Sequence, residues 1–127
     1  MKPHDVSVLI PAAGSGDRLG LGPKAFVPLA GRPVVEWVIR KALRLAGEVI
    51  VACPPGAPAL DAVLAFTRIE GGATRQHSVQ LLAAQATRPW VLVWDAARPF
   101  TSVALAAEVL AASVGSGGAA AACSGPG

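Results

Sequence analysis

The chain has 127 residues, 53% of them hydrophobic, with a formal net charge of +3. That length allows one domain around one modest core, and no apolar run approaches the roughly 18 residues a membrane span requires. The 11 lysines and arginines form no basic block, so nucleic acid gains little support and a small anionic ligand is served equally well. Residues 1–4 run straight into a strand pattern without the long apolar stretch of a secretory signal, which leads us to expect a soluble cytoplasmic protein.

In chain order, Val6–Ile10 is apolar almost throughout, as suits a strand covered on both faces of a parallel sheet. A glycine-rich loop follows. Pro33 opens a helix at a position where its missing N–H costs nothing. Val34, Val35, Val38, Ile39, Ala42, Leu43 and Leu45 then recur at helical spacing through Val34–Ala46, with Gly47 as terminator. Glu48–Cys53 reads as a second strand, stopped by Pro54 and Pro55. A short helix is predicted over Ala59–Phe66, and a short strand over Thr67–Glu70 entering Gly71-Gly72. Thr74 is placed to cap a helix carrying Val79, Leu81, Leu82 and Ala86. Trp90–Trp94 ("WVLVW") is the clearest strand in the chain. Thr101 or Ser102 caps a last helix to about Val114, and Ala119–Cys123 reads as a final strand. This alternation implies an α/β domain, Rossmann-like, with a mostly parallel sheet and helices on both faces. The chain stops at "CSGPG" just after a strand, where an α/β protein would normally carry on, so it is expected to be part of a longer protein.

Cys53 and Cys123 lie far apart in apolar contexts and read as buried free thiols. His4 and His77 have no metal-ligand spacing and are expected to be solvated or locally bonded. Asparagine and tyrosine are absent, consistent with depletion of thermolabile residues or with a biased genome composition.

The stretch "VSVLIPAAGSGDRLGLGPK" (Val6 to Lys24) asks what such a loop would hold. A dinucleotide loop needs G-x-G-x-x-G opening directly onto a helix, with an acidic residue about 20 positions later. Gly14, Gly16 and Gly20 put the last interval one residue too long, Pro23 and Pro28 forbid a continuous helix, and Glu36 falls inside a helix. A P-loop needs Gly-Lys followed by Ser or Thr, but Lys24 follows Pro23 and precedes Ala25. What remains is Pro11-Ala12-Ala13-Gly14-x-Gly16-x-Arg18 with Pro23-Lys24. Its small residues let a base and ribose approach the backbone, and its N–H groups can cradle phosphates. Arg18 offers a guanidinium fork and Lys24 a compact charge.

"PAAGSGDRLGLGPK" resembles the nucleotide-binding loop of sugar nucleotidyltransferases. "EGGATRQHSV" (Glu70 to Val79) and "WVLVWDAARPF" (Trp90 to Phe100) narrow the resemblance to the 2-C-methyl-D-erythritol 4-phosphate cytidylyltransferases of non-mevalonate isoprenoid synthesis. The resemblance implies that Pro11, Ala12, Ala13 and Gly14 face the cytosine and ribose, with Gly16 also among the nucleotide-binding residues. It implies that Arg18 and Lys24 bind the triphosphate and stabilise the transition state. Gly71, Gly72, Arg75 and Ser78 would also contact the nucleotide. Asp95 would lie at the magnesium–nucleotide site and Arg98 towards the acceptor's phosphate. The implied partners are CTP and a sugar-alcohol phosphate, in a homodimer. Two positions depart from the pattern: Ala25 stands where the family usually has glutamine, and "AAAACSGPG" replaces Ala-Pro-Val-x-Asp-Thr. The family's longer chain carries a second catalytic lysine and an arm that completes the partner's acceptor pocket. Ribitol-5-phosphate cytidylyltransferase shares much of the nucleotide loop, and a catalytically silent nucleotide-binding module stays open as a further alternative.

The implied reaction brings two anions together, so its needs are positioning, cations and a hard metal ion rather than a general base. Among the carboxylates, Glu36, Asp61 and Glu108 are assigned to helices. Asp5 and Glu48 precede or open strands, and Asp17 sits in the loop. Glu70 and Asp95 are left at carboxyl ends of strands, where ligands bind in open α/β sheets. Asp95 is the better candidate for the metal, with Glu70 supporting the glycine turn. Trp37, Trp90 and Trp94 are expected in the core or an interface rather than as base-stacking platforms.

Overall fold

The computed structural model describes residues 3–13, 24–96, 100–115 and 120–123. Five parallel strands form one sheet: β1 (Val6–Pro11), β4 (Glu48–Cys53), β5 (Thr67–Glu70), β6 (Trp90–Trp94) and β7 (Ala120–Cys123), in the order β5-β4-β1-β6-β7. β1 sits at the centre, with Ile10 opposite Val51 of β4 and Leu9 opposite Val93 of β6. Between β1 and β4 lie a small antiparallel hairpin, β2 (Pro28–Leu29) with β3 (Arg32–Pro33), and helix α1 (Val34–Leu45). Helix α2 (Arg75–Gln85) joins β5 to β6, and α3 (Val103–Gly115) leads from β6 to β7.

Because side chains alternate along a strand, β1 feeds two cores. Val6, Val8 and Ile10 pack with Val35, Val38, Ile39 and Ala42 of α1 and with Ala106 and Leu110 of α3. Leu9 packs on the opposite face with Ile50, Ala52 and Leu82 of α2. The continuous apolar run in β1 is thus the signature of a sheet covered twice. Trp94 is fully buried and Trp90 packs at the edge of the larger core. Trp37 is partly exposed, its indole N–H donating to the Leu29 carbonyl at 2.7 Å.

Three local expectations change. Residues 59–66 form turns, not a helix. The Asp61 N–H donates to the buried Glu36 carboxylate at 3.2 Å, while the Asp61 carboxylate accepts from Val63 N, Arg40 and Arg32. These bonds pin the segment to α1 and give the backbone an alternative to helix. Asp61 is therefore not a helical carboxylate. Pro33 occupies the cap position of α1, one residue before its first turn, and the cap at the other end, Ala46, is extended. Gly47 is not a left-handed terminator. Its smallness answers a close approach: a Cβ there would lie 2.7 Å from the Cα of His4. The β2–β3 turn, for which no expectation was made, is Ala30-Gly31, both with positive φ (52° and 83°).

Thr74 caps α2 as expected, its hydroxyl accepting from His77 N at 3.0 Å. Ser102 caps α3 in the same way, accepting from Leu105 N at 3.0 Å. His4 contacts Asp5 at 3.3 Å and Cys53 is a buried free thiol.

Candidate active site

The strand order reverses direction at β1: the chain steps from β1 to β4 and β5 on one side, then crosses to β6 and β7 on the other. In an open parallel sheet the crevice at such a reversal, outside the carboxyl ends of the strands, is where ligands bind. The sequence delivers its motifs there. β1 ends at Pro11 and leads into Ala12-Ala13, β5 runs into Gly71-Gly72, and Asp95 follows β6.

The wall formed by Ala13 and Gly71 is tightly built. Ala12 N donates to the Ala52 carbonyl at 2.8 Å, extending the β1–β4 ladder past the strand end, and Gly71 N donates to the Cys53 carbonyl at 2.9 Å. A Cβ on Gly71 would lie 2.2 Å from the Ala13 Cβ and 2.9 Å from the Ser78 hydroxyl oxygen. Glycine is required at 71 because the segment leaving β1 rests against it. Ser78 is 2% exposed, and its hydroxyl oxygen accepts from Gly72 N at 3.0 Å. The turn is held by that serine and by Cys53, not by the Glu70 carboxylate, which is exposed and has no hydrogen bond or ion pair among the described residues; Glu70 contributes its backbone to the β4–β5 ladder. The imidazole of His77 lies against Gly72.

On the other side of β1, Ala96 is buried and fixes the start of the segment that follows β6. The Asp95 carboxylate is partly exposed, with an oxygen 4.0 Å from the guanidinium Nε of Arg75, the first residue of α2. This pair was not legible in the sequence, where Arg75 and Asp95 stand 20 positions apart on different elements. α2 lies over β1 and β4, so its first residue arrives beside the end of β6 only because β6 adjoins β1. Burial pushes the Cys53 thiol up, with the Arg68 guanidinium pulling weakly the other way. It is therefore neutral and offers no nucleophile beside the crevice.

Pro11, Ala12, Ala13, Gly71, Gly72, Arg75, Ser78 and Asp95 are thus brought to one end of the sheet. Gly14, Gly16, Arg18 and Arg98 lie outside the described residues, as does the side chain of Lys24, whose backbone forms a single 3-10 turn with Ala25 and Phe26. Among the described residues no group of three His, Cys, Asp or Glu forms a metal cage, and no helix is long and apolar enough to cross a membrane.

A parallel α/β sheet with a small-residue wall and one carboxylate at its reversal point has the architecture of a nucleotidyltransferase. A solved nucleotidyl transferase from Methanothermobacter thermautotroptrophicus shares the fold, with a TM-score of 0.68 at 22% identity over 84% of this chain and 56% of that one. The match becomes specific in the family model for IspD, 2-C-methyl-D-erythritol 4-phosphate cytidylyltransferase, which spans residues 6–124; the chain belongs to that family. A relative of that name from Thermus thermophilus is 55% identical over 118 residues, covering 91% of this chain and 53% of the relative. A crystal structure of the cytidylyltransferase from the same species superposes with a TM-score of 0.73 at 47% identity, over 90% of this chain and 50% of that one. The chain therefore spans about half the length of the relatives it matches.

Proposed function

We propose that the protein carrying this chain transfers CMP from CTP to 2-C-methyl-D-erythritol 4-phosphate, giving CDP-methylerythritol and pyrophosphate. The observation that carries the reading is the crevice itself: in a chain of this family, Ala13, Gly71 and Asp95 come to the same strand ends. An oxygen of the acceptor's phosphate attacks the α-phosphorus, the new P–O bond forms, and the bond to the β-phosphate breaks with its electrons leaving on pyrophosphate. The attacking oxygen is already anionic, so the protein supplies placement and positive charge rather than a base.

The backbone from Pro11 to Ala13 and the Gly71-Gly72 turn form a wall without side-chain bulk, on which cytosine and ribose would lie. The resemblance assigns Arg18 and Lys24 to the triphosphate and Arg98 to the acceptor. Magnesium commonly binds proteins through one or two carboxylates plus substrate phosphates. A single, partly exposed Asp95 at the crevice, with no protein cage among the described residues, fits an ion that arrives on the nucleotide. Such an ion would neutralise phosphate charge. Phosphorylated substrates of this kind argue for a cytoplasmic location, and the resemblance for a homodimer, which sedimentation of the full-length protein checks.

Pyrophosphate release from CTP, measured with methylerythritol phosphate and separately with ribitol phosphate, tests the reading. Release with the first acceptor and not the second is expected. Asp95→Ala is expected to abolish turnover while leaving the circular dichroism spectrum unchanged; near-normal release by that variant would overturn the assignment of Asp95.

A further inference from the structure

Gly71 and Gly72 are both glycine, but for different reasons. A Cβ on Gly71 meets Ala13 and Ser78, whereas a Cβ on Gly72 would overlap Nδ1 and Cγ of His77 and come within 2.8 Å of the His77 Cβ. The Gly72 φ lies outside the positive range, so its backbone conformation does not call for glycine. What excludes a side chain there is the imidazole, which occupies the place that a side chain at 72 would take.

The imidazole is held from α2. His77 N donates to the Thr74 hydroxyl at 3.0 Å, and Thr74 caps the helix. The next residue, buried Ser78, accepts from Gly72 N at 3.0 Å. Two successive residues of one helical turn thus grip Gly72, Ser78 through its N–H and His77 beside its Cα. Glycine loses more freedom than any other residue when it is ordered, and here two stand together. The grip removes that freedom before a ligand arrives. His77 itself is exposed and belongs to neither core, so its packing on Gly72 adds little to the stability of the whole fold.

We propose that His77 is a positioning residue: its ring, carried by the capped first turn of α2, fixes the Gly71-Gly72 turn in the shape that receives the nucleotide. The proposal rests on the reading of that turn as part of the nucleotide wall, and it adds a residue to which the family resemblance gives no role. The contribution is preorganisation, in which the turn is ordered on folding rather than on binding. A fixed turn serves bound substrate and transition state alike, so the effect falls on KM and not on kcat.

The test uses the full-length protein, with calorimetry of CTP in the presence of magnesium and pyrophosphate-release kinetics. His77→Ala should weaken CTP binding and raise its KM by about 10-fold, the scale of ordering one backbone residue, with kcat within about twofold and the melting midpoint nearly unchanged. His77→Phe, which sets Cγ and Cδ1 where Cγ and Nδ1 stand, should retain most of the affinity. Gly72→Ala should cost the wild type a similar factor by expelling the ring. In the His77→Ala protein its Cβ enters vacated space and should change CTP affinity by no more than about twofold, a coupling characteristic of residues in contact. A loss of kcat with KM unchanged, a phenylalanine variant as weak as the alanine one, or additive effects of the two substitutions would each overturn the positioning role. Wild-type protein that binds CTP no better than His77→Ala does would keep the functional reading and lose this proposal. Absence of CTP binding by the wild type even with magnesium would remove both.

Discussion

Gly71→Ala is the sharpest probe of the crevice wall. The Gly71 φ lies outside the positive range, so alanine meets no backbone penalty and the substitution reports steric fit alone. Its Cβ would be placed 2.2 Å from the Ala13 Cβ and 2.9 Å from the Ser78 oxygen. Carbon atoms settle at about 3.5–4.0 Å, so one of the two segments must move by more than an ångström. Neither is loose. Ala12 N is bonded to Ala52, Gly71 N to Cys53 and Gly72 N to Ser78.

Overpacking of this kind costs about 1–3 kcal/mol. For a domain of this size each kcal/mol lowers the melting midpoint by roughly 3–6 °C, so a fall of about 3–18 °C in a thermal melt is expected. Relief by displacing Ala13 or the turn deforms the surface on which the nucleotide would lie, and calorimetry should show CTP binding reduced by about 10-fold or more, the effect of an ångström-scale misplacement. Ala13→Gly on top of Gly71→Ala removes the closest clash and should recover part of both losses, leaving only the 2.9 Å approach to the Ser78 oxygen. A Gly71→Ala protein with unchanged melting and CTP affinity, or one that Ala13→Gly does nothing to rescue, would refute the packing argument.

Two further outcomes test parts of the fold away from the crevice. Ala30 sits at φ 52° ahead of Gly31 at φ 83° in the β2–β3 turn, a pattern that prefers Asn-Gly; Ala30→Asn should raise stability by about 0.5–1 kcal/mol in urea unfolding, and a destabilised variant would contradict the turn geometry. Glu48 is raised by partial burial but more strongly lowered by the Ser7 hydroxyl and by Thr87 N and its hydroxyl, so its carboxyl titrates below its ordinary 4.5. A lowered folded-state value means that its contribution is full above 4.5 and lost as pH falls through the folded value. The melting-midpoint difference between wild type and Glu48→Gln should therefore shrink below that pH, and a difference independent of pH would count against it.

The strands were legible because each is a short apolar run, and their ends followed from prolines and glycines at 54, 55, 71 and 72. Helix α2 was legible through its cap, Thr74. The turns at 59–66 were not, because the apolar spacing of Leu60, Val63 and Leu64 looks helical, while the bonds that prevent a helix come from α1 and β3, through Glu36, Arg40 and Arg32. The hairpin was missed because Ala30 is not a turn signal. At the crevice, small residues and one aspartate could be assigned from motif alone. Why Gly71 must be glycine depends on the end of β1 lying beside β4 and the turn after β5, and which arginine reaches Asp95 depends on β6 lying beside β1; no local pattern encodes that order.

Tertiary packing also defines the surroundings of Ala25, the position where the resemblance leads one to expect glutamine. Ala25 is buried among the side chains packed between the sheet and α1, and neighbouring Phe26 packs against the same core. Val34 N donates to the Val27 carbonyl at 3.0 Å, tying this turn to the start of α1. Arg32 then reaches Glu36 and Asp61 at 3.7 Å and 3.3 Å, fixing the hairpin that follows. At position 25 this chain therefore has a packing contact where the family usually carries an amide, and burying a small apolar side chain there avoids an amide that would need its own partners. The segment between β1 and α1 is thus fixed at both described ends, at Ala13 by the sheet and at Ala25 by the helix. The backbone of Lys24 enters the functional argument from an anchored position, so an amide at residue 25 is not required to hold the far end of the loop in place.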